Sequence, residues 1–383
     1  MRAFTSTCIL LLGAALAGCA HTAKPEAKKV DDKAPLPLDA HFQPATPAQI
    51  EAASKAVGAD PAEMAALEAR PLYTFNEKEV GQYLPFVQQI EPDLGRRIVR
   101  LGRKEIGQPY ELYLLGEAPF EQFDPQPLYC LDRSDCVVFS EHMYAMALSN
   151  DWPTFFTTLQ RIRYHEGKIG VATRNHYTEA DWDKANTWLV KDVTEELAGD
   201  KVKHISQTVN RQKFLKGRYK IDRDIPVEKV DVTYIVKEDV PGILSQLHNG
   251  DFVNVMSGKG DDRYASHVGL IAIQDDGTVD FLHSSEPRVK EQPLLDFIEK
   301  TTARNDEKQG KADAARDKAA PKAKTKAEAE AVQKQWEKDR PTRLWGFKFL
   351  RLQQDPIANL KKIDGPGAPK ISSPEGKLTF AGN

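Results

Sequence analysis

Residues 134–148 of the chain read SDCVVFSEHMYAMAL. The apolar residues of this stretch recur at helical spacing without Pro or Gly, and Ser134 or Asp135 is a suitable N-cap. Cys136 would then lie in the first turn, where free backbone N–H groups and the helix dipole lower the pKa of a thiol below about 8.5. The stretch therefore predicts a helix with a nucleophilic cysteine at its N-terminus; the alternative is a buried structural cysteine.

Two histidines downstream are placed where they could serve such a thiol. His267 leads into the run VGLIAI, the turn signal QDDG follows, and the run TVDFLH ends on His283. An antiparallel hairpin would bring His283 back towards His267. A thiol becomes a nucleophile when an imidazole takes its proton and a third polar group fixes the tautomer of that imidazole. The alternative for either histidine alone is an edge or core residue satisfied by the backbone.

A family resemblance rests on the order of several short motifs. The general set is GQPY at 107–110, SDC at 134–136, SHVG at 266–269 and LHS at 282–284. It resembles the NlpC/P60 superfamily of papain-like cell-wall amidases and peptidases. The narrower set is DC at 135–136, RIRY at 161–164 with Gly167, RNHY at 174–177 and DW at 181–182. It resembles the DUF1460 branch, described as N-acetylmuramoyl-L-alanine amidase-like, over roughly residues 72–354.

The resemblance implies a fold and a set of site residues. The expected fold is α+β, of the papain-like NlpC/P60 type, with the nucleophile helix packed on an antiparallel sheet and helices added on the N-terminal side. Cys136 would be the nucleophile, His267 the general base and then the general acid, and His283 the residue that orients His267. Tyr110 would be a donor on the substrate or oxyanion side, unless it only packs at the turn after Pro109. No metal or organic cofactor is implied.

Cys130 leaves an alternative open for the thiol. It lies six residues before Cys136. A second difference from the family pattern is Ser134, which is more polar than its counterpart in many relatives. A disulfide between the two cysteines would silence the nucleophile in an oxidising compartment. The other interpretations of Cys130 are a small buried hydrophobic residue and a resolving thiol.

A segment rich in cations and aromatic rings follows the cysteine. Residues 152–189 interleave arginines and a histidine with Tyr and Trp, a composition suited to sugar rings and peptide carboxylates. We expect Arg174 and His176 to form part of the substrate-binding wall. The alternative is that the aromatic residues pack in a subdomain core while the arginines cap helices.

The N-terminus has the features of a bacterial lipoprotein signal. Arg2, the apolar run CILLLGAAL and the sequence LAGC at 16–19 predict a signal peptide over residues 1–18 and acylation of Cys19. Several acyl chains would anchor the protein stably to a membrane. Ala20 follows the cysteine instead of Asp, which by analogy with enterobacterial lipoproteins favours the outer membrane, facing the periplasm. Residues 19–49 would form a flexible tether.

The remaining organisation follows from composition and pattern. Residues 72–354 would form the catalytic domain, with Asn76 capping its first helix and Pro92 at the start of the second. Residues 304–334 are mostly Ala, Lys, Glu and Asp, which predicts a solvated helix or a disordered insert. Alternation over 341–352 predicts a returning strand, and 355–383 would be a C-terminal tail.

The net charge of the chain limits the kinds of partner that we expect for it. The 383 residues carry a formal net charge of −3, which argues against nucleic acid as a main partner. The family resemblance implies a cysteine amidase that hydrolyses the N-acetylmuramoyl-L-alanine amide of peptidoglycan fragments (muropeptides), and we expect it to be a monomer. The alternatives are a γ-D-glutamyl-diaminopimelate endopeptidase and an inactive lipoprotein that only binds muropeptides.

Overall fold

The structure, a computed structural model, describes residues 36–260 and 262–364. The predicted signal peptide, Cys19, the first part of the predicted tether and the end of the predicted tail lie outside these residues. None of the helices in the described ranges is long and apolar enough to cross a membrane.

Twelve α-helices lie within the described residues. They are α1 (Pro47–Val57), α2 (Pro61–Glu68), α3 (Glu77–Ile90), α4 (Leu94–Lys104), α5 (Cys136–Ala147), α6 (Trp152–Arg163), α7 (Asp183–Ala185), α8 (Thr194–Ala198), α9 (Arg211–Tyr219), α10 (Leu294–Ala319), α11 (Lys326–Asp339) and α12 (Pro356–Asp364).

Eight strands form one sheet in the described part of the chain. They are β1 (Val190–Asp192), β2 (Lys203–Val209), β3 (Glu228–Val236), β4 (Phe252–Lys259), β5 (Asp262–Ile273), β6 (Val279–Ser285), β7 (Arg288–Pro293) and β8 (Arg343–Leu352). The order is β2-β3-β8-β4-β5-β6-β7, β1 pairs with β8, and all these pairs are antiparallel. The expected mixture of helices and antiparallel sheet, an α+β fold, is therefore confirmed.

The helix starts follow from side-chain capping. The side chain of Asn76 accepts the backbone N–H of Glu79, whose carboxylate accepts the N–H of Asn76 in return, so α3 opens with a capping box. Helix α4 begins two residues later than the predicted start at Pro92, because the carboxylate of Asp93 accepts the N–H of Arg96 at 2.8 Å.

The central part of the sheet is buried on both faces. Val268, Leu270 and Ala272 of β5 face a core that contains α4 and α5. The alternate residue Ile271 faces a second core, which contains Leu294 of α10 and aromatic residues of β6 and β8. Side chains alternate between the two faces of a strand, so over residues 268–272 β5 lies between the core that contains α5 and the core that contains α10.

The domain boundaries differ from the composition-based expectation at both ends. Phe42 is 3% exposed and its ring lies 4.7 Å from the guanidinium of Arg100. Helix α1 then begins at Pro47, inside the predicted tether. In the predicted tail, Leu360 of α12 is 5% exposed. These contacts are made by single apolar residues that lie within polar stretches. The average composition of a stretch does not reveal such residues.

The predicted insert is helical. Residues 304–334 lie in the second half of α10, the turn after it and most of α11. Within α11 no residue is buried, and within α10 only Leu294 and Ala312 are buried. The solvated-helix interpretation therefore describes this segment better than the disordered one.

Candidate active site

Cys136 is the first residue of α5, as the sequence predicted. Asp135 is the N-cap, and one of its carboxylate oxygens accepts the backbone N–H of Val137 at 3.0 Å and that of Val138 at 2.9 Å. The thiol is partly buried at the edge of the core that contains α4 and α5. The cap fixes the direction in which the helix begins, and with it the position of the thiol.

Buried hydroxyls tie the loop before Cys136 to the strand that carries His283. Ser134 Oγ donates to Gln108 Oε1 at 2.5 Å, and the Oγ of Ser284 donates to the carbonyl of Ser134 at 3.0 Å. All three side chains are nearly inaccessible to solvent. These bonds give structural reasons for the Gln of GQPY and the Ser of LHS. The sequence alone assigned no role to Gln108 or Ser284.

Helix α5 is also held from its middle. Glu141 receives hydrogen bonds from Arg163 Nη1 at 3.1 Å and from Trp182 Nε1 at 3.0 Å. Arg163 lies near enough to Asp135 that its charge lowers the pKa of that carboxyl, against the larger raising effect of burial. Arg163 of the RIRY motif and Trp182 of the DW motif therefore hold α5 in place through Glu141.

The thiol lies beside the strand that carries His267. The backbone N–H groups of Val268, Val137 and Cys136 itself interact favourably with a Cys136 thiolate. Burial, and next the charge of Asp135, nevertheless raise the pKa of the Cys136 thiol to about 12. The expected lowering of this pKa is therefore wrong for the protein at rest. Burial is the larger cause and the negative charge of Asp135 adds to it; together they outweigh the favourable N–H groups at the start of α5.

The two histidines meet across β5 and β6, as predicted. His267 Nε2 lies 2.7 Å from His283 Nδ1, and His283 Nε2 lies 3.0 Å from the side-chain amide nitrogen of Gln292 on β7. Burial, assisted by Lys290, lowers the pKa of His267 to about 4, and burial lowers that of His283 as well. Both rings are therefore neutral at physiological pH. Gln292 was missed because nothing in the sequence distinguishes it from other polar residues of a strand.

Local backbone features explain how these rings are aimed. Val255 pairs with His267 and Met256 with Ala265, so Ser266 is the extra residue of a β-bulge next to His267. A Cβ atom on Gly269 would lie 2.8 Å from the Cβ of His283. Glycine is therefore required where the two histidine-bearing strands approach each other.

Aromatic side chains pack around the histidine pair. The ring centroid of Phe281 lies 4.4 Å from that of His283, and the ring of Phe297 on α10 lies 5.5 Å from it. Helix α10 therefore supplies part of the wall that excludes water from the imidazoles.

Tyr110 lies near the thiol. Its backbone N–H donates to the carbonyl of Pro287 at 3.1 Å, and the residue forms an isolated bridge with Ser134. Burial raises the pKa of the Tyr110 hydroxyl, and a charge on Cys136 raises it further. The hydroxyl therefore stays protonated and is a hydrogen-bond donor close to Cys136.

Arg174 and His176 are occupied by internal contacts, unlike the substrate-binding role that the sequence suggested. Arg174 Nε lies 2.6 Å from Glu117 Oε1 and its Nη2 lies 2.9 Å from Asp124 Oδ2. His176 Nε2 lies 2.6 Å from the carbonyl of Val171, and burial lowers the pKa of this histidine to about 3. These contacts favour the alternative in which the segment is a packed subdomain.

Cys130 and Cys136 are both free thiols in the structure. Cys130 Sγ lies 3.0 Å from Asp132 Oδ1. Burial and the neighbouring carboxylate raise the pKa of Cys130 to about 12. Cys136 is therefore available for chemistry in this structure.

Comparisons with known proteins give the following matches. A family model described as AmiA-like, N-acetylmuramoyl-L-alanine amidase-like, matches residues 100–303. No curated protein matches the chain in sequence. Among solved structures, the chain is similar to a Legionella pneumophila protein of the family model DUF1460, with 18% identity, a TM-score of 0.53 and coverage of 72% of this chain and 95% of that one.

Two further similarities are weaker. The chain is similar to an N-acetylmuramoyl-L-alanine amidase of Bacteroides uniformis, with 19% identity, a TM-score of 0.48 and coverage of 68% of this chain and 99% of the other. It is also similar to a putative xylanase of Bacteroides fragilis, with 22% identity, a TM-score of 0.44 and coverage of 65% of this chain and 98% of the other.

The Legionella protein shows a shared fold with this chain. The family model spans more than half of the sequence and contains Tyr110, Cys136, His267 and His283. The protein therefore belongs to the AmiA-like family, whose members are described as N-acetylmuramoyl-L-alanine amidase-like.

Proposed function

We propose that the protein is a cysteine amidase of the papain-like NlpC/P60 type that hydrolyses the N-acetylmuramoyl-L-alanine amide of peptidoglycan fragments. The observation that carries this proposal is the position of the Cys136 thiol beside the backbone N–H of Val268, the residue that follows His267, together with the contact between His267 and His283. The family description, which names this amide, supports the choice of bond.

The resting groups in this mechanism are neutral. With the pKa of Cys136 raised and that of His267 lowered, the site holds a thiol and an imidazole, not an ion pair. His267 takes the thiol proton as Sγ attacks the carbonyl carbon of the lactyl amide. Because both charges develop only during the attack, proton transfer and bond formation are coupled. Loss of His267 should therefore cost on the order of 10²–10⁴-fold in rate.

The tetrahedral intermediate then loses the amine. The protonated imidazole of His267 gives its proton to the alanyl nitrogen as the C–N bond breaks, which leaves a thioester on Cys136. Water attacks the thioester with His267 as base, and the products are a muramyl carboxylate and a peptide with a free N-terminus. The Tyr110 hydroxyl, kept protonated by its raised pKa, would donate to the oxyanion in both steps.

The location proposed for this reaction is the periplasm. We propose that Cys19 carries the lipid that anchors the protein, with the outer membrane as the favoured membrane. A Cys19→Ser variant should then leave the membrane fraction and lose labelling by palmitate, whereas a Cys8→Ser variant should keep both.

The bond is tested by the masses of the products. Purified muropeptides and anhydro-muropeptides are incubated with the full-length protein under reducing conditions. Release of an intact stem peptide and a peptide-free disaccharide supports the proposal. A disaccharide that retains the dipeptide L-alanyl-D-glutamate would overturn the choice of bond and assign the γ-D-glutamyl-diaminopimelate endopeptidase activity instead.

A further inference from the structure

Three potential metal ligands meet on the β6–β7 side of the sheet. They are His41 from the segment before α1, Asp280 of β6 and Glu291 of β7, and one ligand atom from each lies within 4.8 Å of the other two. Residues far apart in sequence are thus brought together with one imidazole and two carboxylates. None of them belongs to the candidate active site.

The imidazole and one carboxylate are held by outer partners. His41 Nδ1 lies 2.6 Å from Asp39 Oδ1, which places the ring proton on Nδ1 and leaves the Nε2 lone pair free to ligate. Gln274 Nε2 donates to Asp280 Oδ2 at 2.5 Å. Metal-binding histidines in proteins usually have such a carboxylate or carbonyl on their second nitrogen.

The second carboxylate is also oriented from outside. Arg103 donates to Glu291 from Nε, at 2.9 Å to Oε2, and from Nη2, at 2.7 Å to Oε1. This bidentate contact fixes the plane of the carboxylate. Each oxygen has a second lone pair for another partner.

Asp280 supplies an independent sign of a missing partner. Its side chain is 1% exposed, its buried Oδ1 has no hydrogen-bond donor while both carboxylates are ionised, and the carboxyl group of Glu291 lies beside it. Buried polar atoms are almost always partnered. Two carboxylates that meet in a buried position also repel each other, and a cation between them removes that repulsion.

We propose that His41, Asp280 and Glu291 bind a divalent transition-metal cation of the Zn²⁺ class. One nitrogen and two oxygen ligands suit Zn²⁺ better than Mg²⁺ or Ca²⁺, which take oxygen ligands. A water molecule would complete a tetrahedral set. The charges of the metal ion and Arg103 sum to +3, and those of Asp39, Asp280 and Glu291 sum to −3. Because His41 precedes α1, the metal would fasten residues 36–42 to the sheet.

The test is Zn²⁺ titration of the chelator-treated full-length protein by calorimetry, with MgCl₂ as the comparison cation. The variants are His41→Ala and Asp280→Asn, with His165→Ala as control because its side chain is 66% exposed. We expect one Zn²⁺ site that weakens at least about tenfold in His41→Ala and Asp280→Asn and is unchanged in the control. Any Zn²⁺ bound by the cysteine thiols is bound equally in every variant. The difference in Zn²⁺ affinity between the unmodified chain and His41→Ala therefore reports on the His41 site alone.

Two results would overturn the proposal. One is Zn²⁺ binding by His41→Ala with the affinity and stoichiometry of the unmodified chain; the other is the absence of any His41-dependent binding up to millimolar Zn²⁺. X-ray absorption of the loaded protein should show nitrogen and oxygen ligands, and sulfur ligation of a single bound ion would contradict it. If Asp280→Asn does not fold, His41→Ala decides, because Phe42 still anchors the segment by its contact with Arg100.

Discussion

Asp135 has two opposing effects on Cys136. Its carboxylate caps α5 and so positions the thiol, yet its negative charge raises the pKa of that thiol. The helix N-terminus alone would do the reverse. The residue-scale consequence is a thiol that is held in a fixed position but stays protonated until a base takes its proton.

Replacing Asp135 by Asn separates these two effects. Asn caps helices about as well as Asp, but it removes the charge, so the pKa of the Cys136 thiol should fall. Alkylation by iodoacetamide, followed by peptide mass mapping across pH, measures the change. In the unmodified protein Cys136 should react increasingly up to high pH, and in Asp135→Asn the midpoint should move lower. A plateau at neutral pH in the unmodified protein would contradict the neutral-thiol description.

Under the proposed mechanism, the pKa of His267 should set the acid limit of activity. Burial lowers this pKa to about 4, so the ring is neutral above that pH and can accept the thiol proton. As pH falls through about 4 the ring becomes protonated and kcat/KM should fall in proportion to the protonated fraction. A pH–rate profile of muropeptide cleavage measures it, and an acid limb near the ordinary histidine pKa of about 6.5 would contradict the prediction.

Gln292 should decide which nitrogen of His267 carries the proton. If His267 Nδ1 takes the thiol proton, its Nε2–H must donate to His283 Nδ1, and His283 Nε2–H then needs an acceptor. In the structure the amide nitrogen of Gln292 faces His283 Nε2, so this arrangement requires the amide to turn over and present its carbonyl oxygen as the acceptor. We expect Gln292→Glu, which can only accept, to stay within about tenfold of full activity and Gln292→Leu to lose on the order of a hundredfold. Equal activity of the two variants would exclude this role.

At the scale of elements, the loop that contains Glu117 and Asp124 is joined to the core through Arg174. The side chain of Arg174 is 12% exposed and that of Glu117 is fully buried. Tyr164 also donates its hydroxyl to Glu117, at 2.9 Å. Arg174 therefore belongs to a buried ion pair that holds a loop.

Arg174→Met should act on stability and not on substrate binding. Breaking the pair leaves Glu117 charged and buried, which should lower the free energy of unfolding by about 3 kcal/mol. Arg96→Met is the matched control because its side chain is 62% exposed, and it should change stability by less than about 0.5 kcal/mol. Chemical denaturation measures both. A raised KM for muropeptides with unchanged stability would restore the substrate-binding role.

Local sequence signals predicted the elements that contain the candidate site. Helical periodicity with an Asp cap placed α5 correctly, and two β-branched runs around a turn placed the hairpin with its histidines. What local signals do not contain is which distant groups meet. The pKa of Cys136 depends on burial, the partners of Arg174 lie 50 or more positions away in sequence, and Gln292 acts only through tertiary pairing.

At the scale of the whole molecule, α10 has two parts with different roles. Its first turns contribute Leu294 and Phe297 to the core beside the histidines, and Asn305 binds β8 through the N–H of Leu344 at 2.9 Å. Beyond that point α10 and α11 pack mainly on each other, for example through the 2.7 Å bond from Trp336 Nε1 to Asp313 Oδ1.

Removing the outer part of the α10–α11 helix pair should therefore change neither activity nor stability by much. A variant in which a short Gly-Ser linker replaces residues 310–339 keeps Phe297 and Asn305. We expect its kcat/KM within about twofold of the full chain and its Tm within about 4 °C, because the removed part buries little apolar surface. Thermal melts and muropeptide cleavage measure the two quantities. A large loss of activity in a folded variant would show that residues 310–339 contribute to the site or to substrate binding.

The most direct test of the central claim is muropeptide cleavage by the folded protein under reducing conditions, comparing Cys136→Ala with Cys130→Ala. The proposed mechanism predicts that Cys130→Ala cleaves like the unmodified chain, whereas Cys136→Ala loses at least about a thousandfold. Intact-mass measurement should also detect a thioester adduct on Cys136 alone. Full turnover by Cys136→Ala, or no cleavage by any folded form across sacculi and anhydro-muropeptides, would contradict it.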